Sequence, residues 1–267
     1  MFAKKLLLFS AVVATLGFSS CQQEEEISNK EEASQEVLTQ IKTLGFNNQN
    51  VQKVEGGYVV EGDIFLSQDD LKTAHNTKAL RVGEAEQYRT TNLVAVSGSR
   101  LITISMDSRL PSSYIAALDE AIARYNSEGL SITMQRVSSG GDINITAAPR
   151  SAQYLASAGF PTSQGNPHNN IKVAERYIGK NPNTGWFATI LAHEIGHCIG
   201  FRHTDYMDRS YSCGGGYTNE GASSVGAVHI PGTPTAADPN SWMLACIGSG
   251  QNRPFNSNDK IALGYLY

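Results

Sequence analysis

The stretch "TGWFATILAHEIGHCIGFRH", residues 184–203, carries three histidines and one glutamate in its last eleven positions. Residues 184–199 are good helix formers, with a Thr or Asn cap near their start, and Gly200 is suited to ending a helix. Residues four apart in a helix lie only ~40° apart around its axis. His193 and His197 are therefore expected on one helical face, where two imidazoles can bind the same ion.

The third histidine needs a change of chain direction. His203 lies six residues beyond His197, and a continuing helix would carry it to the far side. A left-handed glycine at Gly200 would end the helix at no steric cost and return His203 to the ion. Three imidazoles with one open position are typical of catalytic zinc sites, since structural sites have four protein ligands. The sequence predicts one Zn²⁺ bound by His193, His197 and His203.

We expect Glu194 to transfer a proton and not to bind the metal. It points ~100° away from His193 around the helix, so it is badly placed as a ligand but well placed to hold a water bound to the metal. A carboxylate there can act as general base for hydrolysis. The alternative is a group of solvated or core histidines, but the five fixed positions arise by chance with a probability on the order of one in a hundred thousand.

Motifs around these residues resemble a known family. "HEIGHCIGFRH", residues 193–203, matches every fixed position of the metzincin signature HExxHxxGxxH. Together with "FRHTD", 201–205, and "NDKIALGYLY", 258–267, it is similar to the bacterial dual-action HEIGH metallopeptidases, most specifically over residues 185–267. The resemblance implies a zinc-dependent endopeptidase that acts on proteins or peptides, with a sheet domain above the cleft and a small, mostly irregular C-terminal part below it.

The metzincin resemblance also implies a methionine turn beneath the zinc. "NSWMLACIG", residues 240–248, lies some forty residues after the third histidine and makes Met243 the candidate. The chain departs from other branches at Thr204, where astacins carry glutamate, and it has no tyrosine two residues after Met243. Subfamily and substrate preference therefore stay open.

Segments upstream of the histidine helix alternate between strand and helix patterns. Residues 101–107, 130–137 and 142–148 are predicted strands, and residues 111–129 a predicted amphipathic helix. A long loop rich in Gly, Pro and Asn runs to about Asn170, followed by one more strand. This pattern indicates an α/β or α+β sheet domain. The metzincin resemblance implies an α+β fold, with a catalytic domain of the zincin type over residues 91–267 and a twisted sheet above the active-site helix.

Residues 36–90 are predicted to form an N-terminal pro-segment or a small α/β region. "YVVEGDIFLS", residues 58–67, is predicted as extended, between two short helices. Within it, "VEGDI", 60–64, is similar to the FxGD motif of astacin propeptides, in which the aspartate occupies the open position on zinc. That similarity implies a latency switch at Asp63. The alternative is an ordinary strand that ends in a Gly-Asp turn.

The first residues have the pattern of an export signal. Two lysines precede the apolar run of residues 6–18, which is shorter than the ~20 residues of a membrane-spanning helix. "FSSC", ending at Cys21, resembles the lipobox of bacterial lipoproteins. We expect a signal peptide over residues 1–20, lipidation of Cys21, an acidic tether over 21–35, and an outer-membrane lipoprotein facing the periplasm or the exterior. The alternative is an ordinary cleaved signal.

The other three cysteines are expected to form one disulfide in an oxidising compartment. Three pairings are possible among Cys198, Cys213 and Cys246. Cys213 with Cys246 is favoured, because Cys198 lies inside the predicted helix.

Composition limits the remaining function classes. The formal net charge is −4, with charges spread along the chain, so no basic stripe for nucleic acid is present. Two alternatives to an endopeptidase remain, a non-catalytic surface-binding lipoprotein and a zinc hydrolase of a non-peptide substrate. The oligomeric state stays open.

Overall fold

The computed structural model describes residues 33–72, 87–221, 226–234 and 237–267. The chain divides into two compact units, Met1–Glu31 and Glu32–Tyr267, and all described residues belong to the second. The expected signal peptide, the lipidation site Cys21 and most of the acidic tether lie outside the described residues. Within the described ranges, no helix has the length and apolar character needed to cross a membrane.

The described chain forms helices and strands around one large sheet. In chain order the elements are α1 (Gln35–Thr43), β1 (Gln52–Val54), β2 (Gly57–Val60), β3 (Ile64–Ser67), α2 (Gln68–Lys72), β4 (Tyr88–Arg89), β5 (Arg100–Met106), α3 (Tyr114–Asn126), β6 (Ile132–Val137), β7 (Ile143–Ala147), β8 (Ala156–Ala158), β9 (Asn170–Val173), α4 (Glu175–Ile178), α5 (Thr184–Ile199), α6 (Ser210–Cys213), β10 (Val228–His229) and α7 (Ser257–Leu266). The predicted α+β class is confirmed.

The large sheet is mixed and has eight strands in the order β1-β2-β3-β8-β9-β7-β5-β6. Strands β6, β5, β7 and β9 run parallel to one another. Strand β8 is antiparallel to β9, and β3 is parallel to β8 through the single pair Ile64 with Ala158. Strands β4 and β10 form a separate two-stranded ladder. The region predicted as a pro-segment therefore extends the sheet beyond β8.

Two sequence expectations about strands were wrong. "YVVEGDIFLS" is a hairpin of β2 and β3 and not one extended segment, because Glu61 and Gly62 have φ angles of +54° and +94° and reverse the chain. Strand β8 lies in the predicted long loop. Strands β6 and β7, which are joined in the chain by the turn "SSGG", residues 138–141, lie on opposite sides of β5.

Of four clusters of buried apolar side chains in the described residues, the two largest stabilise the two ends of the sheet. The larger core packs α3 and α5 against the strands from β5 to β9. A smaller core lies within the N-terminal region and includes Ile41, Phe46, Val60, Ile64 and Leu66. Burial on this scale is the main source of stability for both. The N-terminal region is thus held by its own core and by the pairing of β3 with β8.

Candidate metal centre

Helix α5 carries two of the predicted ligands and is buried along almost its whole length. The Asn183 side chain caps its start by accepting a hydrogen bond of 3.0 Å from the backbone N–H of Trp186. Every residue from Trp186 to Ile199 is buried. A helix that is apolar all round belongs in a core, and this one holds its side chains at fixed positions between the sheet and the C-terminal segment.

Gly200 ends α5 as the sequence predicted, with a φ of +113°. The N–H of Phe201 donates to the carbonyl of Gly196 over 2.8 Å, and the N–H of Gly200 donates to that of His197 over 3.0 Å. These two bonds define a Schellman cap, which requires a left-handed residue. The cap reverses the chain and brings His203 back to the helix.

The structure brings His193, His197 and His203 together with Asp63. Each offers one ligand atom, and these four atoms lie within 4.8 Å of one another. The Nε2 atoms of His197 and His203 are 3.2 Å apart, and Asp63 Oδ2 lies 3.0 Å from His203 Nε2 and 3.5 Å from His193 Nε2. The four side chains therefore surround one point that a single ion can occupy.

Each histidine is oriented through its other ring nitrogen. His193 Nδ1 lies 2.9 Å from the carbonyl of Trp242, and His197 Nδ1 lies 2.8 Å from that of Phe201. His203 Nδ1 lies 2.8 Å from Glu220 Oε1. An oxygen at Nδ1 fixes the tautomer with its lone pair on Nε2 and makes that nitrogen a better metal ligand.

The unpaired atoms at this point fit a zinc ion. His193 Nε2 and Asp63 Oδ1 are buried without a hydrogen-bond partner among the described residues, a rare and costly condition unless an ion is bound. Burial opposes a charge on His203, but the carboxylates of Asp63 and Glu220 outweigh it and raise the His203 pKa well above its usual value. The same carboxylates favour a divalent cation. Three imidazoles and one carboxylate are ligands that zinc accepts.

Glu220 is a site residue that sequence reasoning missed. Its side chain is fully buried, and it is 3.2 Å from Arg209 Nε and 3.8 Å from Arg202 Nη2 as well as bonded to His203. The glutamate belongs to "CGGGYTNEG", residues 213–221, which has the composition of a loop. Its backbone N–H donates to the carbonyl of Tyr206 over 2.7 Å, so the loop is fixed beside the third ligand.

Glu194 lies in a cavity that opens beside the histidines. The cavity has a volume of about 250 Å³ and is also lined by Asp63 and His193. Glu194 is buried, and its Oε2 has no hydrogen-bond partner within the described chain. Burial, with the nearby charge of Asp63, raises its pKa well above the usual value. A carboxylate in this position can exchange a proton with a water or substrate in the cavity.

Met243, the candidate for the methionine turn, lies against helix α5. It is fully buried, and a methyl group added at Gly196 would lie 2.6 Å from its sulfur. The carbonyl of Met243 accepts from the N–H of Thr204 over 3.0 Å, and the preceding Trp242 orients His193. The turn therefore packs directly against α5 between the two ligand histidines.

A buried carboxylate from α7 holds this turn. Asp259 accepts hydrogen bonds from Ser241 Oγ at 2.9 Å and Gln87 Nε2 at 2.7 Å, and from the N–H groups of Trp242 and Asn256 at 3.3 and 3.0 Å. Because no cation balances it at ion-pair distance in the described structure, burial raises the pKa of Asp259 to about 7. Asp259 belongs to the stretch "NDKIALGYLY", residues 258–267, but nothing in that stretch indicates that its carboxyl is buried or which groups donate to it.

Asp63 reaches the histidines from the turn between β2 and β3. Its carbonyl accepts from the N–H of Ala158 in β8 over 3.0 Å. Next to it, the buried Glu61 lies 3.5 Å from Arg202 Nη2, and its carbonyl accepts a hydrogen bond from Arg209. Both arginines also face Glu220, so one charged cluster joins the hairpin turn to the partner of His203.

The disulfide in the structure joins Cys213 and Cys246, the pairing favoured from the sequence, and Cys198 is free and buried in α5. The disulfide links α6 to the segment that follows Met243. The chain that supports His203 and the chain beneath the histidines are thus covalently connected.

Comparisons with known proteins place the chain in a family. A search of curated proteins finds no match. Two solved structures of myroilysin are similar: one has a TM-score of 0.43 at 18% identity, covering 66% of this chain and 96% of that one. The other has a TM-score of 0.39 at 17% identity, covering 69% and 96%. The model of the dual-action HEIGH metallo-peptidase family matches residues 58–267.

That match spans most of the chain and includes the three histidines, Glu194 and Asp63, and it confirms the resemblance inferred from the motifs. One zinc ion is the cofactor that both the family and the ligand set indicate. The chain therefore belongs to the dual-action HEIGH metallo-peptidase family and is a zinc metalloendopeptidase.

Proposed function

We propose that the protein is an exported, lipid-anchored endopeptidase that is kept latent by Asp63 and uses Glu194 as its general base. The observation that carries the proposal is the position of the Asp63 carboxylate, among the three histidine nitrogens and on the same cavity as Glu194. The hairpin turn that bears Asp63 thereby occupies the place where a scissile peptide bond would have to lie.

In catalysis the chain's own residues would hold the metal and move the proton. His193, His197 and His203 would hold the zinc, which when bound polarises a carbonyl and lowers the pKa of a water molecule. Glu194 takes a proton from the attacking water and delivers it to the leaving amine. Its unpaired Oε2 supports this assignment, because no other described side chain competes for the lone pairs of that atom.

Glu194→Ala tests the role of the base. We expect hydrolysis of peptides to fall to background while the zinc content stays near one ion per chain, with Glu55→Ala, an exposed glutamate, as control. Retained hydrolysis in Glu194→Ala would remove the assignment. A wild-type protein that binds zinc and cleaves no peptide would favour the non-catalytic alternative.

Latency is supported by three contacts besides Asp63. Strand β3 pairs with β8, Glu61 lies at Arg202, and Arg209 bonds the turn backbone. Together they hold a fourth ligand in place, and a carboxylate ligand there closes the open position that catalysis needs. The turn is thus fixed at both the sheet and the charged cluster.

Asp63→Ala in the full chain tests the switch. Activity should rise, and the visible spectrum of the cobalt-substituted protein should change as one ligand is lost. Asp69→Ala, which removes an exposed aspartate from the same region, should do neither. Equal activity and an unchanged spectrum in Asp63→Ala would contradict the switch.

Export and lipidation rest on residues 1–21 of the sequence, with their basic start, short apolar run and Cys21. We expect bacterial cells fed a labelled fatty acid to label the protein and to hold it in the outer-membrane fraction. Cys21→Ser should abolish the label and release the protein from membranes. An unlabelled wild-type protein would support an ordinary cleaved signal instead.

A further inference from the structure

The cavity beside His193 and Glu194 has walls suited to a substrate side chain. Helix α5 contributes Ile190, and the segment after the methionine turn contributes Leu244 and Ile247. Its volume of about 250 Å³ is far more than the ~30 Å³ that one water takes up in the liquid. Mostly apolar walls next to reacting groups are typical of a pocket that binds a side chain and positions a bond.

One wall of this cavity carries a guanidinium group without an anionic partner. Arg253 donates to the carbonyl of Cys246 over 2.9 Å and to the amide oxygen of Gln251 over 3.2 Å. Both acceptors are neutral, and no described carboxylate lies within ion-pair distance of Arg253. Of the five N–H donors of a guanidinium, these two bonds occupy two.

Arg209 also lines the cavity, but unlike Arg253 it has an anionic partner. It lies 3.2 Å from Glu220 and bonds the carbonyl of Glu61, so its charge is already compensated. Arg253 is half-buried, and this burial lowers its pKa against an opposing effect of Asp205. A cation held partly out of water with neutral acceptors alone gains from any carboxylate that enters the cavity.

We propose that this cavity binds the side chain of a substrate residue flanking the scissile bond, and that Arg253 makes it selective for glutamate or aspartate. The inference rests on the proposed function. A guanidinium forms two parallel hydrogen bonds to a carboxylate, whereas a neutral amide accepts only one of them. The apolar walls bind the methylene groups of glutamate, and the charge pairs with its end.

Matched peptides test the proposal. The full chain is used with zinc and with Asp63→Ala, so that the Asp63 carboxylate no longer occupies the cavity. Peptides differ only in Glu, Gln or Leu at one position flanking the cleaved bond. We expect kcat/KM for the Glu peptide to exceed that for Gln by about 10- to 100-fold, the usual effect of one charged hydrogen-bonded contact.

Arg253 is then replaced in the same background. Arg253→Gln should remove the preference, Arg253→Lys should keep part of it, and Arg150→Gln, at an exposed arginine, should leave it unchanged. Equal cleavage of all three peptides before replacement, or an unchanged preference in Arg253→Gln, would overturn the proposal.

Measurements of peptide binding distinguish a failure of the proposed pocket from a failure of the proposed catalytic function. With Glu194→Ala added, binding of the Glu and Gln peptides is measured by fluorescence anisotropy. Tighter binding of Glu that disappears with Arg253→Gln supports the pocket even if no peptide is cleaved, a result that would count against the catalytic assignment alone. Equal binding of the two peptides, or no binding of either, overturns the role of Arg253.

Discussion

The raised pKa of Asp259 predicts how stability changes with pH. The folded protein holds this carboxyl at a pKa of about 7 against its ordinary value of 3.8. Because the folded pKa is the higher one, folding favours the protonated form. The contribution is fully present below the unfolded pKa and is lost as the pH rises through the folded value. At neutral and higher pH, the free energy of unfolding that is lost because of this pKa difference is about 4 kcal/mol.

Asp259→Asn isolates this contribution. Between pH 4.5 and 7.5, we expect the free energy of unfolding of the wild type to fall by about 3 kcal/mol more than that of the variant, from the same two pKa values. Urea unfolding of the metal-free full chain measures both, which avoids loss of zinc at low pH.

Two results would refute this reasoning. Parallel stability curves for wild type and Asp259→Asn would show that the carboxyl titrates normally in the folded state. A difference that grows in the opposite direction would show that its four donors outweigh the burial. Asp69→Asn, at an exposed ion pair, serves as control and should follow the wild-type curve.

Three other substitutions are expected to weaken zinc binding or to lower the stability of the fold. Glu220→Gln removes the carboxylate at His203 Nδ1 and should weaken zinc binding about 10- to 100-fold in a chelator competition. Gly200→Ala places a side chain at a φ of +113° and should cost about 1–3 kcal/mol in urea unfolding. Cys213→Ser breaks a link across a sequence separation of 33 and should cost about 3–4 kcal/mol, measured against the wild type under non-reducing conditions.

The ligand set was predictable because it depends on local geometry. The spacing of His193 and His197 follows from the helical repeat, and the glycine at 200 is the local condition for the return of His203. These relations span eleven residues, so no knowledge of tertiary packing was needed. The position of Met243 and the approach of Asp63 came from family resemblance, since each reaches the site from a distant part of the chain.

The carboxylates that support the site could not be predicted, because their positions depend on tertiary structure. Glu220 and Asp259 are ordinary acidic residues in a polar loop and at a helix start, and only tertiary structure shows that both are buried. Strand β8 was missed because the residues Ala156–Ala158 have small side chains and no β-branched member. The single extended segment predicted at residues 58–67 failed because the backbone of Glu61 adopts a conformation uncommon for a residue with a side chain.

The complete burial of α5 bears on how such an enzyme can diversify. Between Trp186 and Ile199 no position faces solvent, so almost every substitution there disturbs the packing around the ligands. Substitutions that change substrate preference without disturbing the ligands are therefore expected in the segment after Met243 and in β8, which line the same cavity. The residues that hold the metal and the residues that are free to change substrate preference therefore lie in different segments of the chain.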